Sequence, residues 1–132
     1  MSVLVKIIFL LLMFTLIWGE GIDVYISNGL EGKEDLKIHC KSKDNDLGMH
    51  LLHINQTFHW NFGTNFFGGT LFFCSFQWGN GRVLYFNAYD QKRDSQLFPV
   101  CHWYIHKDGP CRYETQYYQP PSAAIRKCYK WN

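Results

Sequence analysis

The fold class of this chain is decided by Thr70-Leu-Phe-Phe-Cys-Ser-Phe-Gln-Trp78, which runs through Gly79-Asn80-Gly81 into Arg82-Val-Leu-Tyr-Phe-Asn-Ala-Tyr89. Alternate side chains of a β-strand share a face. One face of the first segment carries Phe72, Cys74, Phe76 and Trp78. Near its start the other face is apolar as well, which predicts burial on both sides there. The Gly-Asn-Gly run is a strong hairpin signal, so the stretch predicts two antiparallel strands.

Short alternating segments recur on both sides of this hairpin. Further strands are predicted around 22–27, 36–41, 49–54, 58–62, 101–106, 111–114 and 126–131, with a turn at 66–69 and charged loops at 44–48 and 90–95. Aromatic residues form 18% of the sequence, and such side chains suit a half-buried pleated surface. These features predict an all-β fold, a small disulfide-containing antiparallel β-sandwich of about eight strands.

The core of this sandwich is predicted to be aromatic. Each of its members falls on the apolar face of its own strand. They are Trp60, Phe62, Phe72, Phe76, Phe86 and Trp103.

The first residues of the chain determine its cellular compartment. Met1-Ser-Val-Leu-Val-Lys6 leads into an apolar run that ends at Ile17, and Gly19-Glu20-Gly21 supplies small residues for signal peptidase. The run of about 15 apolar residues is shorter than the ~20 that span a bilayer, and no basic stop-transfer cluster follows it. We therefore predict a signal peptide over 1–21, a domain over 22–132, secretion to the extracellular space and no stable membrane anchor.

Charge argues against nucleic acid as a partner. The formal net charge is +2 at pH 7, and positive and negative residues are interspersed. A protein that neutralises a phosphate backbone needs a basic stripe or patch. No run of basic residues of that kind occurs, so we predict no nucleic-acid binding.

Five cysteines occur, and an odd number in a secreted protein leaves at least one thiol free or bonded to another chain. Cys111 and Cys128 fall in the last two predicted strands, so a bridge that closes this C-terminal unit is the first pairing we predict. Cys40, Cys74 and Cys101 lie on the apolar faces of their strands, which predicts at least one bridge between the two sheets. We expect a monomer, with a disulfide-linked dimer through the odd cysteine as the alternative.

No motif predicts catalysis or metal binding. The sequence has no Gly-x-Ser-x-Gly elbow and no cysteine motif that links a thiol to a base. Its six histidines lack zinc-like spacing, and Asp44-Asn-Asp46 lacks the further acidic ligands of a calcium loop. We therefore predict a protein that is not an enzyme and uses no cofactor.

Two kinds of segment are candidate functional sites. Asn55-Gln56-Thr57 is a glycosylation sequon, which predicts an N-linked glycan on Asn55 in a turn between two strands. Loops on a rigid scaffold commonly carry recognition, and two charged loops are candidates for contact with a partner. Their residues are Asp44, Asn45, Asp46, Asp90, Arg93 and Asp94.

The order of several short motifs resembles that of one known family. The motifs are His39-Cys-Lys-Ser-Lys-Asp-Asn-Asp-Leu-Gly48, Asn65-Phe-Phe-Gly-Gly-Thr-Leu-Phe-Phe-Cys74, Tyr89-Asp90 with Arg93-Asp94, Cys101-His-Trp103, Asp108-Gly-Pro-Cys111 and Cys128-Tyr-Lys-Trp131. Together they resemble the plant self-incompatibility protein family, the S-protein homologues, over essentially the whole domain. The resemblance implies a small secreted plant protein with a β-sandwich core. In the best-understood members it also implies a ligand that a cell-surface receptor recognises.

The chain departs from this family at one position. Related members often carry another cysteine three residues before the Cys-x-Trp cysteine, where this chain has Phe98. The resemblance thus implies that one of Cys40, Cys74 and Cys101 has lost its partner. A Cys74–Cys101 pair is favoured, with Cys40 unpaired, and the other pairings stay open.

Three classes of function remain at this point. The first is a secreted signalling ligand that a cell-surface receptor or another extracellular protein recognises, and the family resemblance favours it. The second is a secreted carbohydrate-binding or defence module, which exposed coplanar Trp or Tyr side chains on one surface would favour. The third is a hydrolase or other enzyme, which would need a pocket with converging polar groups, and the sequence offers no sign of one.

Overall fold

The computed structural model describes residues 2–18, 21–64, 69–116 and 119–132. These described ranges contain an N-terminal helix, nine strands, one short helix and one 3₁₀ turn. The helices are α1 (Val3–Trp18) and α2 (Gln91–Asp94), and the 3₁₀ turn is Pro121–Ala123. The strands are β1 (Gly21–Asn28), β2 (Leu36–Lys41), β3 (Asp46–Leu52), β4 (Thr57–Gly63), β5 (Leu71–Gln77), β6 (Leu84–Asp90), β7 (Val100–His106), β8 (Gly109–Glu114) and β9 (Ile125–Cys128).

The strands form two sheets, which confirms the predicted fold class. One sheet has five strands in the order β4-β1-β7-β8-β9, and the other has four in the order β3-β2-β5-β6. Among the described strands the β1–β7 pair is parallel and the other pairs are antiparallel. The sandwich is therefore mixed rather than purely antiparallel. A parallel pair needs a long connection. Between β1 and β7 the chain forms β2 to β6, which include all four strands of the other sheet.

Aromatic side chains fill the space between the sheets, as predicted. Trp103 of β7 meets Phe86 of β6 edge to face, with ring centroids 4.9 Å apart. Phe62 is partly buried, and its ring centroid lies 4.6 Å from that of Phe72. The remaining predicted core residues, Trp60 and Phe76, are also buried. These rings join the two sheets and contribute the packing that offset and edge-to-face aromatic pairs favour.

The outer face of β5 differs from the prediction of burial on both faces. Leu71 and Phe73 are 37% and 36% exposed. Their neighbour Phe72 points inward and is 4% exposed. Within the described ranges no further layer covers this face of the four-stranded sheet, so apolar side chains there remain open to solvent.

The predicted leader forms α1, a single apolar helix of 16 residues. In the part of the chain that the structure describes, no helix is both long and apolar enough to cross a membrane. β1 begins at Gly21, which lies opposite Gly63 of β4. The predicted signal peptide of residues 1–21 therefore includes the first residue of β1, and its cleavage site stays a prediction. Gly19 and Glu20 of the predicted cleavage region, and residues 66–68 of the predicted turn, lie outside the described residues.

Candidate functional site

Each disulfide joins two neighbouring strands within one sheet. Cys111 of β8 lies opposite Cys128 of β9 and is bonded to it, which is the pair favoured by the sequence. Cys40 of β2 lies opposite Cys74 of β5 and is bonded to it. Three predictions are therefore wrong: the Cys74–Cys101 pair, an unpaired Cys40 and a bridge between the two sheets. Direct register within the four-stranded sheet brings Cys40 and Cys74 together, whereas Cys101 belongs to the other sheet.

Cys101 is the free cysteine, and it is buried in β7. The Arg112 side chain donates from Nη1 to its sulfur at 3.0 Å. Burial raises the pKa of the Cys101 thiol to about 11, against the opposing charge of Arg112. A protonated, buried thiol is a poor nucleophile, so a disulfide-linked dimer through Cys101 would require the sandwich to open.

The segment 90–94 is a structural element and not an open loop. Asp90 caps α2 by accepting a hydrogen bond from the Lys92 amide. Asp94 is only 5% exposed and accepts hydrogen bonds from Arg93 at 2.7 Å and from Arg112 at 2.6 Å. Burial alone would raise the pKa of Asp94, but these two hydrogen bonds hold it below its ordinary value. The prediction of Asp94 as a partner contact is thus wrong, because Arg93 and Arg112 compensate its charge inside the protein.

Arg93 and Arg112 tie this segment to the core. The Arg112 guanidinium lies 4.3 Å from the centre of the Trp103 ring and also donates to Glu114 at 2.7 Å. Arg93 lies over the same ring at 5.4 Å and is half-buried. Cation–π contacts of this kind are strongest when water is excluded. Arg93 therefore stabilises the interior, and its availability to a partner is small.

The other predicted contact segment is the turn between β2 and β3. Asp44 and Asn45 are exposed at its tip, which a hydrogen bond from the Ser42 amide to the Asn45 carbonyl closes at 2.8 Å. β3 begins at Asp46, so the predicted loop is shorter than 44–48. The Asp46 carboxylate accepts from the Gly48 amide at 2.9 Å and contacts His39, and these bonds lower its pKa.

Strand register brings the two charged segments to one end of the four-stranded sheet. Lys41, at the end of β2, lies opposite Phe73 of β5. Leu71, at the start of β5, lies opposite Asp90 of β6. With neighbouring strands ~4.8 Å apart, the Asp44 turn and α2 are separated by roughly 10 Å across β5. The structure therefore groups the predicted contact residues, but leaves mainly Asp44, Asn45 and Asp46 exposed.

An exposed apolar surface on the four-stranded sheet was not predicted from the sequence. We call it the open face: the outer surface of the four-stranded sheet, next to the Asp44 turn. Its apolar members are Met49 (68% exposed), Leu51 (51%), Leu71 (37%), Phe73 (36%) and Tyr85 (58%). Lys37 and Lys41 of the central strand β2 are exposed among them, and Lys41 lies 5.8 Å from the centre of the Phe73 ring. The spacing of Met49 and Leu51 indicates that they share one face of their strand, but it does not show which face of the sheet another layer covers.

The outer face of the five-stranded sheet carries a different group of rings. Tyr25 stacks on His59 with ring centroids 4.2 Å apart, and His102 stacks on Tyr104 with ring centroids 4.3 Å apart. His102 also bonds Ser27 at 2.7 Å. In each stacked pair one ring covers the face of the other, so these side chains do not form the open coplanar platform on which sugars stack. The arrangement does not favour the carbohydrate-binding alternative.

Histidines and carboxylates form pairs rather than larger clusters. His53 contacts Asp35 at 2.8 Å, and His106 contacts Glu31 at 2.8 Å. Within the described ranges, no group of three or more His, Cys, Asp or Glu side chains is arranged to hold a metal ion. These pairs are ordinary surface interactions, which contribute little to stability.

Asn55 occupies the turn between β3 and β4. It is exposed and has a left-handed backbone with φ of 67°, a conformation that asparagine tolerates better than most residues. Thr57 of the sequon is exposed too, and its hydroxyl bonds Ser27 at 2.6 Å. The turn lies at the far end of β3 from Asp44.

A small two-sheet sandwich with a disulfide in each sheet is typical of a secreted protein. The comparisons with known proteins specify the family. The family model of the plant self-incompatibility protein S1 matches residues 23–131, and the chain belongs to this family. The family is one of small, secreted, non-enzymatic plant proteins, which agrees with the predicted secretion.

Individual relatives support the assignment. S-protein homolog 5 of Arabidopsis thaliana is 37% identical over 127 residues, covering 89% of this chain and 91% of the relative. S-protein homolog 2 of the same plant is 40% identical over 114 residues, covering 83% and 67%. A solved structure from the self-incompatibility protein homologues matches with a TM-score of 0.50 at 23% identity, over 85% of this chain and 95% of that one. That structure supports the fold.

Proposed function

We propose that this protein is a non-enzymatic extracellular signalling ligand that a cell-surface protein recognises. The observation that carries the proposal is the open face, where five large apolar side chains surround exposed lysines on a rigid sheet. Contiguous exposed apolar patches mark protein interaction sites. The Cys40–Cys74 bridge joins two strands of this same sheet, so the surface is held in one shape before a partner binds.

The chemistry of the open face suggests the partner's chemistry. Lys37 and Lys41 lie on the central strand, and Met49 and Tyr85 flank them on the edge strands. A matching surface would place acidic groups opposite the lysines and apolar side chains around them. Complementary charge of this kind chiefly sets specificity and association rate. Asp44 and Asn45, on the adjoining turn, would lie at the rim of such an interface.

The predicted glycan is compatible with this orientation. β3 has seven residues, so Asn55 lies roughly 20 Å along the strand from the Asp44 turn. A glycan there would leave the turn free for a partner. We therefore retain N-glycosylation of Asn55, together with removal of residues 1–21, as part of the proposal.

Binding to plant cells tests the proposal. The full chain is expressed in plant cells, purified from the medium and labelled, and its binding to intact cells is measured with unlabelled protein as competitor. Combined Met49→Glu and Tyr85→Glu substitutions should weaken saturable binding by about tenfold or more if these residues are interface hot spots. Ile125→Glu is the matched control, because Ile125 is 72% exposed on the other sheet and should bind like the wild type.

The rim is tested separately. Asp44→Lys should reduce binding by a smaller factor of about two to five, because a rim charge acts mainly on association. Circular dichroism checks the fold of each variant. Absence of saturable binding by the wild type would contradict the proposal, and equal losses in the open-face and Ile125 variants would remove recognition from the open face.

A further inference from the structure

A cavity of about 330 Å³ is lined mainly by residues of the five-stranded sheet and of the segments beside it, and its described lining residues are not those of the open face. It lies beside β7 and β8 of the five-stranded sheet, and the segment before β9 forms part of its wall. Its walls are mainly apolar. They are formed by Ile22, Leu97, Phe98, Val100, Pro121 and Ala124. This size is at the lower end of the range of small-molecule sites, which are also mostly apolar with a few polar groups.

The charged groups of the cavity neutralise one another. Asp94, Arg112 and Glu114 contribute to the lining. Arg112 bonds both carboxylates, and Arg93 supplies the second positive charge to Asp94. Two guanidinium groups thus face two carboxylates. A charged ligand would enter an apolar cavity without a compensating charge, at a high cost in desolvation.

The Tyr89 hydroxyl belongs to a buried polar side chain of this lining. Tyr89 is only 2% exposed and contributes to the cavity wall. Across the described ranges the structure records no hydrogen bond for its hydroxyl, although buried polar groups are normally paired. Burial, with the nearby charge of Asp94, raises the pKa of Tyr89 to about 12. The hydroxyl therefore keeps its proton and can donate it to a hydrogen-bond acceptor in the cavity.

We propose that this cavity binds a small, neutral, mostly apolar molecule that carries one hydrogen-bond acceptor, a carbonyl or hydroxyl oxygen, to which the Tyr89 hydroxyl donates. The apolar walls hold the body of the molecule, the balanced charges exclude ions, and the Tyr89 hydroxyl selects the acceptor. The site is separate from the open face, so it goes beyond the proposed recognition function. It gives the protein a second, small-molecule ligand.

Fluorescence of N-phenyl-1-naphthylamine, a neutral probe that brightens in apolar sites, measures occupancy of the cavity. The full chain is expressed in plant cells and purified from the medium. We expect saturable brightening by the wild type. 2-Octanone should displace the probe at a concentration at least about tenfold lower than octanoate, whose chain length is the same but whose charge must be desolvated.

Two pairs of proteins locate the site. Ala124→Phe fills the cavity and should weaken probe binding about tenfold or more, whereas Ala123→Phe, at the exposed neighbour outside this cavity, should change it less than about twofold. Tyr89→Phe keeps the ring and should weaken displacement by 2-octanone about three- to tenfold, relative to the wild type. Circular dichroism monitors the fold of each variant.

Each contrary result overturns a defined part of the proposal. Absence of saturable brightening by the wild type, or equal losses in both alanine variants, would show that the cavity is not a binding site. Equal displacement by octanoate would refute selection for neutral molecules. Unchanged displacement in Tyr89→Phe would refute the hydroxyl as the donor, and that variant remains informative if Ala124→Phe fails to fold.

Discussion

Asp94 accepts hydrogen bonds from two arginines in the interior of the protein. Removing one partner of a buried ion pair leaves the other charge without compensation, at a cost of ~3–5 kcal/mol. We predict that Asp94→Asn lowers the free energy of unfolding by about this amount in urea titrations. Asp44→Asn, at an exposed position, should change it by less than about 0.5 kcal/mol. Similar effects of the two substitutions would contradict the assigned role of Asp94.

The same carboxylate predicts a dependence of stability on pH. The pKa of Asp94 in the folded protein lies below its ordinary value of 3.8. Its contribution to stability is therefore fully present above that value and is lost as pH falls through the lowered folded pKa. We expect the unfolding free energy of the wild type to decline below about pH 4. Asp94→Asn should show a weaker decline, and an unchanged slope would exclude Asp94 as a source of it.

β9 is joined to its sheet by a disulfide as well as by strand pairing. All four of its residues are exposed, so burial within the strand contributes little to holding it. The Cys111–Cys128 bridge fixes it to β8. We predict that replacing both cysteines by alanine raises amide hydrogen exchange in β9 selectively, because the bridge no longer limits the local separation of β9 from β8.

The matched comparison is removal of the Cys40–Cys74 bridge. β2 and β5 are central strands of their sheet, so their amides should stay protected locally while global stability falls by ~2–4 kcal/mol. Unchanged exchange in β9 after loss of Cys111–Cys128 would show that packing of the following residues, and not the bridge, holds this strand.

Elements with strict alternation were predictable from the sequence. The Phe72–Phe76 alternation and the Cys111–Cys128 pair both follow from local pattern. That Cys101 is the free cysteine was harder to predict. Disulfide pairing depends on which strands become neighbours, and Cys40 and Cys101 are about 60 residues apart in the chain. The β2–β5 pairing places Cys40 beside Cys74, and no local signal encodes that register.

The candidate site was predicted only in part for a related reason. Asp44 is exposed as expected, but Asp94 is buried because Arg112, in a distant strand, supplies its partner. Charged residues in a short segment suggest a loop by composition alone. The open face was missed because alternation shows that Met49 and Leu51 share a face, and only the assembled sandwich shows which face lacks a covering layer.

The whole molecule is a disulfide-linked scaffold that presents two outer sheet faces. The two sheets share one aromatic core, and each contains its own disulfide. Such a scaffold need not change shape to present the open face, which lowers the entropic cost of association. Family membership supports a secreted, non-enzymatic protein, and the proposed ligand role assigns that scaffold a partner on the cell surface.

Site-specific photo-crosslinking on plant cells tests recognition through the open face. A benzophenone amino acid replaces Tyr85 on the open face or, in the control protein, Ile125 on the other sheet; each full chain is expressed in plant cells, and the secreted protein is purified. After illumination on intact plant cells, we expect that position 85 captures a plasma-membrane protein, that excess unlabelled protein abolishes the product, and that position 125 captures little. Absence of a competed product from position 85, or equal capture from both positions, would show that the open face is not the recognition surface.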